Sequence, residues 1–165
     1  MWARLEQQIE AGQTVKALDL IDKDKLNLLT AYGISPQKLQ QLYNELEDVN
    51  LPSGSAHGDA HAGNVVFVGG TCKFIDWSNY KEKNTAVYDL LQFYVMQVRE
   101  EENVRLAVAC SSSMIEGWRE LSKKLNISYE KLRALFILTK ASHMLDQNDG
   151  KPEKEVVRFL SKVQG

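Results

Sequence analysis

Residues 57–89 read HGDAHAGNVVFVGGTCKFIDWSNYKEKNTAVYD, and the order of polar and apolar residues in this stretch governs how the rest of the chain is read. The first eight positions have no periodic apolar stripe and carry polar side chains instead. Val65-Val66-Phe67-Val68 and Thr71-Cys72-Lys73-Phe74-Ile75 are β-prone runs on either side of Gly69-Gly70, which predicts a β-hairpin. A lone two-stranded hairpin is marginal in water, so this one is expected to lie against helices. Asn64 follows Asp59 by five residues, and Asp76 follows Asn64 by twelve, at the end of the second predicted strand.

Outward from this segment the chain reads as helix. Upstream, Trp2, Leu5 and Ile9 have helical spacing. Thr14 stands as a cap for a segment carrying Val15, Leu18 and Ile21, and Leu26, Leu29 and Tyr32 continue the pattern to a stop at Gly33. Ser35-Pro36 opens a further helix with Leu39, Leu42, Leu46 and Val49 on one face. Residues 50–56, NLPSGSA, are turn formers. Downstream, Val87, Leu90, Leu91, Tyr94 and Val98 make one stripe, and Leu106, Met114, Trp118 and Leu121 a second helix. Ser128 caps a third with Leu132, Leu135, Phe136 and Leu138. After a break at 148–154, Val156, Val157, Leu160 and Val163 form a fourth.

The expected fold is therefore mainly α (α+β), a helical bundle with a short β-hairpin, in one domain spanning residues 1–165. At this length, with 44% hydrophobic and 25% charged residues, a core needs no disulfide or metal staple. A net charge of −2 offers no basic face for nucleic acid. No apolar run approaches the roughly 18–20 residues of a membrane span, and MWARLEQQIE lacks the basic-then-apolar order of a signal peptide. The expected location is cytoplasmic. Cys72 and Cys110 form no Cys-x-x-Cys pair and read as buried thiols. Lys123-Lys124 and Glu100-Glu101-Glu102 read as solvated helix faces. His143 lies on a helical stretch with no acid at ligand spacing and reads as structural, as do Trp2, Trp118 and the tyrosines.

Taken singly, Asp59 and Asn64 suit turns, Asp76 a strand end, and Asp89 the first turn of a helix. Taken in order, with the hairpin and Trp77, they suit phosphoryl transfer. That chemistry asks the protein for a positioned hydroxyl and for cations against phosphate charge. A loop carboxylate can orient the hydroxyl and accept its proton. A neutral amide oxygen and a second carboxylate, brought alongside by the hairpin, are hard donors of the kind magnesium prefers.

HGDAHAGNVVF resembles the catalytic loop of the aminoglycoside phosphotransferase superfamily, to which choline kinase-like enzymes belong. FIDW resembles that family's metal loop, and YDLLQF its later D-L-A segment. Ala62 replaces the usual proline of H-P-x-N, and Leu91 the usual alanine. The match covers about a fifth of the chain. The resemblance implies a protein-kinase-like C-terminal lobe whose hairpin carries the catalytic and metal loops. Asp59 would be the catalytic base or the carboxylate that orients the hydroxyl, with His57 holding the loop by hydrogen bonds. Asn64 and Asp76 would bind magnesium and through it the ATP phosphates. His61 would hydrogen-bond within the loop or border the substrate site, and Asp89 would brace the loop. The cofactors implied are ATP and Mg2+. The partner is a small-molecule hydroxyl acceptor held by helices in 85–147, with amines, sugars and amino-acid alcohols all open.

No N-terminal lobe is recognisable in the 56 residues before His57. Lys16, Lys23, Lys25 and Lys38 fall in helical or capping contexts rather than on a strand. An N-lobe is therefore expected from a longer parent chain or a partner protein. Two functions follow as expectations. One is an ATP- and magnesium-dependent phosphotransferase lobe; the other is a non-catalytic binding module on the same scaffold.

Overall fold

Thr85 starts the central helix. Its backbone is extended and its hydroxyl accepts the Val87 N–H at 3.2 Å. Helix α4 (Ala86–Met96) is buried through Gln92 and again at Val95, so it is enclosed rather than striped. The computed structural model describes residues 1–32, 34–98, 102–111, 114–147, 158, 159 and 161. The stop expected at Gly33, the break at 148–154 and the late helix through Val156, Val157, Leu160 and Val163 lie outside the described residues, as do the side chains of Leu29, Tyr32 and Glu100-Glu101-Glu102.

Five other helices pack around α4 and α7 (Tyr129–Gln147): α1 (Trp2–Glu10), α2 (Lys23–Asn27), α3 (Pro36–Leu46), α5 (Glu102–Cys110) and α6 (Glu116–Leu125). Ser35 precedes Pro36 at the start of α3, where a missing N–H is harmless. Leu39, Tyr43 and Leu46 face inward from α3. In α7, Leu132, Leu135, Phe136 and Leu138 are all buried. Trp118 packs on Phe136 with ring centroids 5.2 Å apart, and its indole N–H reaches the Leu91 carbonyl at 3.0 Å. Burying an aromatic of this size is worth on the order of 1.5–3 kcal/mol.

Local spacing misleads in three places. Residues expected to run as one helix from Leu106 to Leu121 form two, α5 and α6, and Met114 between them is exposed. Serine side chains compete with helix for the backbone, and just after α5 Ser111 Oγ donates to the Val108 carbonyl at 2.9 Å. Thr14, expected as a helix cap, begins a strand, β1 (Thr14–Lys16), antiparallel to β2 (Asn50–Pro52) with Val15 opposite Leu51. Lys16 is thus on a strand, not a helix. Residues 54–56 and 81–84, one read as turn and the other unread, pair as β3 (Gly54–Ala56) and β6 (Lys81–Asn84). In each sheet the partner is remote in sequence, which local periodicity does not register.

The expected hairpin is present: β4 (Val65–Val68) and β5 (Thr71–Phe74), with Val65 opposite Phe74 and Val68 opposite Thr71. Gly69 and Gly70 both have positive φ, 57° and 75°, as a two-residue hairpin turn requires. The result is an α+β fold, mostly helix with small antiparallel sheets. Among the described residues, no helix is long and apolar enough to cross a membrane.

The hairpin does not pack flush on the helices. Val65, Phe67, Cys72 and Phe74 line a slot of about 480 Å³ that Trp2 of α1 and Phe93 and Tyr94 of α4 line as well. Phe67 is 79% exposed, and Cys72 is exposed rather than buried. Cys110 is buried, as expected.

Candidate functional site

Strand β3 delivers the chain to His57, and α4 fixes it there. The Asp89 carboxylate, in the first turn of α4, accepts the main-chain N–H of His57 at 2.6 Å and of Gly58 at 2.8 Å. Asp89 is 2% exposed, and burial holds its carboxyl above the ordinary carboxylate range against the opposing pull of those N–H groups. Gly58 turns the chain at φ 84°, where a Cβ would sit 2.2 Å from the Asn79 carbonyl oxygen. No other residue fits that turn.

His57 spends both ring nitrogens on backbone. Nε2 lies 2.9 Å from the Ile75 carbonyl, and Nδ1 accepts the Asp59 N–H at 3.3 Å. That pair of partners suits a neutral ring protonated on Nε2. The ring also meets Phe74 and Trp77, with centroids 5.1 and 4.6 Å away. In this arrangement His57 is a strut between the 57–64 loop and the segment after β5.

Three side chains converge on the Asp59 carboxylate. Gln92 Nε2 donates to Oδ1 at 2.7 Å. Asn64 Nδ2 donates to the Asp59 carbonyl at 3.0 Å and lies 3.4 Å from Oδ2. His61 Nε2 is 3.6 Å from Oδ2, and its Nδ1 accepts the Gly63 N–H. The hairpin also fixes the backbone that leads to the next acid. Because Val65 pairs with Phe74, Asn64 stands opposite Ile75, and the Ile75 N–H donates to the Asn64 carbonyl at 2.9 Å.

Asp76 follows, in the left-handed region at φ 56°. Non-glycine residues enter that region in only a few percent of cases, asparagine and aspartate several-fold more readily than most, and such outliers gather at functional sites. Its Oδ1 accepts the Ser78 hydroxyl at 2.7 Å. That bond and the Ser78 N–H hold the carboxyl below its ordinary value. Asp59, Asn64 and Asp76 are therefore tied into one loop cluster, with His57 and His61 among them.

Among the described residues, no three His, Cys, Asp or Glu side chains gather as a metal cage. The donors present are the Asp76 carboxylate, kept ionised by Ser78, and the Asn64 amide, whose N–H end is spent on Asp59. Two hard oxygens suit magnesium, which commonly takes one or two protein donors and completes its shell with water and phosphate.

Sequence reasoning missed three contributors. Gln92 is 4% exposed and lies three residues after Asp89, so the two polar groups share a face of an otherwise apolar helix; that buried pair was the available signal. Lys81 and His143 line a notch that also includes Gly58. His143, read as merely structural, is held below its ordinary pKa by burial first and then by Lys140, and it feels the field of Asp59. Tyr80, expected in the core, is 47% exposed, beside Trp77. No family model, curated protein or solved structure matches the chain.

Proposed function

We propose that this chain is the catalytic-loop lobe of a kinase-like phosphotransferase, which moves a phosphoryl group from ATP to a hydroxyl of a small molecule. The observation that carries the reading is the Asp59 carboxylate, oriented by Gln92 and Asn64 and joined through Asn64 and Ile75 to Asp76. Asp59 would receive the acceptor's proton as the new O–P bond forms and the bond from the γ-phosphorus to the ADP oxygen breaks. Asn64 and Asp76 would hold magnesium, which when bound offsets charge on the triphosphate. His57 and Asp89 keep the loop rigid, so that the carboxylate needs no rearrangement at the moment of transfer. The first tests are the melting temperature of this chain with magnesium and ATP, and ATP turnover with magnesium once an N-lobe is supplied. MgATP should raise the melting temperature in the wild type and not in Asp76→Ala. Asp59→Asn should cut turnover by about 10²-fold or more. Unchanged turnover in Asp59→Asn would sink the role given to Asp59.

A second reading has its own observation. Phe67, Val68, Ile75, Trp77 and Tyr80 expose apolar surface along the hairpin and the loop after it. Contiguous apolar surface of this kind marks interaction sites, and it supports a binding module covered by a protein partner. A cooperatively folded chain with no MgATP shift would favour that reading.

A further inference from the structure

Beside the Asp59 loop, on the side of α7, a small notch opens among Gly58, Lys81, Tyr88, Thr139, Ser142 and His143. Its volume is about 20 Å³, room for roughly one oxygen atom. Two of its wall residues carry buried hydroxyls, Tyr88 Oη and Thr139 Oγ1, with no hydrogen-bond partner among the described residues. Tyr88 is 3% exposed. Buried hydroxyls are seldom left unmatched, because each forfeits about 1–3 kcal/mol of solvation. A guest oxygen in the notch would serve both, since a hydroxyl can donate or accept.

No described Asp or Glu lines the notch; Lys81 is on its wall, and His143, held below its ordinary pKa by burial, is beside it. No described carboxylate forms an ion pair with Lys81. The acids near enough to act on Tyr88 and His143 are already engaged: Asp89 with the His57 and Gly58 N–H groups, Asp59 with Gln92, and Asp146 with Lys25. The Tyr88 ring is stacked on Phe136, with centroids 6.5 Å apart, so it offers no open cage for a quaternary ammonium. An amine would meet the Lys81 ammonium on the wall, no open aromatic face, and only carboxylates that are already hydrogen-bonded.

We infer that this notch is the acceptor end of the site, and that the acceptor is a small oxygen-rich anion with a free hydroxyl, of the hydroxy-acid type, rather than an amine. The inference rests on the phosphotransferase reading for its link to catalysis. One acceptor oxygen seats against Tyr88 and Thr139, the anionic group meets Lys81, and the Gly58 wall keeps the molecule next to Asp59.

The test is binding without ATP, followed by two-dimensional amide NMR of the whole chain. Three probes of similar size are titrated: D-glycerate, glycerol and ethanolamine. D-glycerate should shift the Gly58, Ser142 and His143 signals at about tenfold lower concentration than ethanolamine, with glycerol between them. Lys81→Glu, at an exposed position, should remove that preference, and Lys81→Gln should weaken it should the glutamate variant fold poorly. Thr139→Val should weaken D-glycerate about threefold or more. The proposal is overturned if ethanolamine binds as well as D-glycerate, if no probe moves those signals, or if neither Lys81 variant changes the titration. Binding of D-glycerate without phosphoryl transfer would remove the phosphotransferase reading and leave the oxyanion notch. Transfer that depends on Asp59, with no D-glycerate binding, would do the reverse.

Discussion

The helical body and the loop cluster are held together by different physics. Around α4 and α7 the contacts are apolar: Leu90, Leu91, Trp118, Leu121, Leu135 and Phe136 are all at or below 1% exposure. The loop cluster from 57 to 80 has little such burial. Phe67, Ile75, Trp77 and Tyr80 are exposed, and the shape depends on a handful of directed bonds. Asp89 takes two loop N–H groups, His57 bridges to Ile75, and Gln92 reaches Asp59. Gln8 extends the pattern beyond the cluster, since its amide donates to the Ser55 carbonyl and accepts the Ala86 N–H, tying α1 to β3 and to the start of α4. Apolar burial tolerates drift in register. Directed bonds do not, and that is what a site needing a fixed carboxylate requires.

The contrast can be broken by substitution. Phe136→Ala should have the largest effect, a loss of about 3–5 kcal/mol in urea melts, because it opens a cavity against Trp118 and Tyr88. An effect near zero would mean that the helical body is not the stability reserve described. Gln92→Leu should do the opposite of a core mutation. Its Oε1 already lacks a partner among the described residues, so stability should change by less than about 1 kcal/mol. ATP turnover should nonetheless fall roughly 10- to 100-fold as Asp59 loses its orientation. Equal losses in both would make Gln92 a packing residue instead.

Asp89→Asn should fall between these. Asparagine offers one acceptor oxygen where aspartate offers two, which leaves one loop N–H unmatched at about 1–3 kcal/mol. The pH dependence has a definite sign. Because burial raises the folded-state pKa, the favourable contribution of Asp89 is full below the ordinary value near 3.9 and declines as pH rises through the raised one. Asparagine lacks that decline, so the gap between wild type and variant should narrow from pH 4 to pH 7; a gap that widens would contradict the burial argument. The smallest effect should be that of Phe67→Ser on the exposed hairpin face, within about 0.5 kcal/mol in the same melts. A large loss there would mean that the slot under the hairpin is closed in solution.

Helices α3, α4 and α7 were legible because an apolar residue every three or four positions is a local signal, as Leu39 and Leu46 or Leu132 and Leu135 show. The hairpin was legible from Gly69-Gly70 between two β-prone runs. β1, β2, β3 and β6 were not. Lys81-Glu82-Lys83-Asn84 has no alternation, and each strand is only three or four residues long and gains its partner from far along the chain. At the site, Asp59, Asn64 and Asp76 could be named from order and spacing, and Asp89 from the resemblance of YDLLQF to the D-L-A segment. Gln92 could have been, from its place one turn after Asp89, but Lys81 and His143 could not.

By itself, the amino-acid sequence determined which chemical groups are present, the helical spacing of most of the core, and the tight turn that makes Asn64 face Ile75. All of these depend on neighbours a few residues apart. Only the tertiary structure decided that Asp89 and Gln92 reach back to the loop, that His57 is used up as a strut, and that a notch with a lysine and two hydroxyls unmatched among the described residues opens beside Asp59. Those features depend on side chains from separate elements meeting in space, and a directed bond between remote residues leaves no period in the sequence to read.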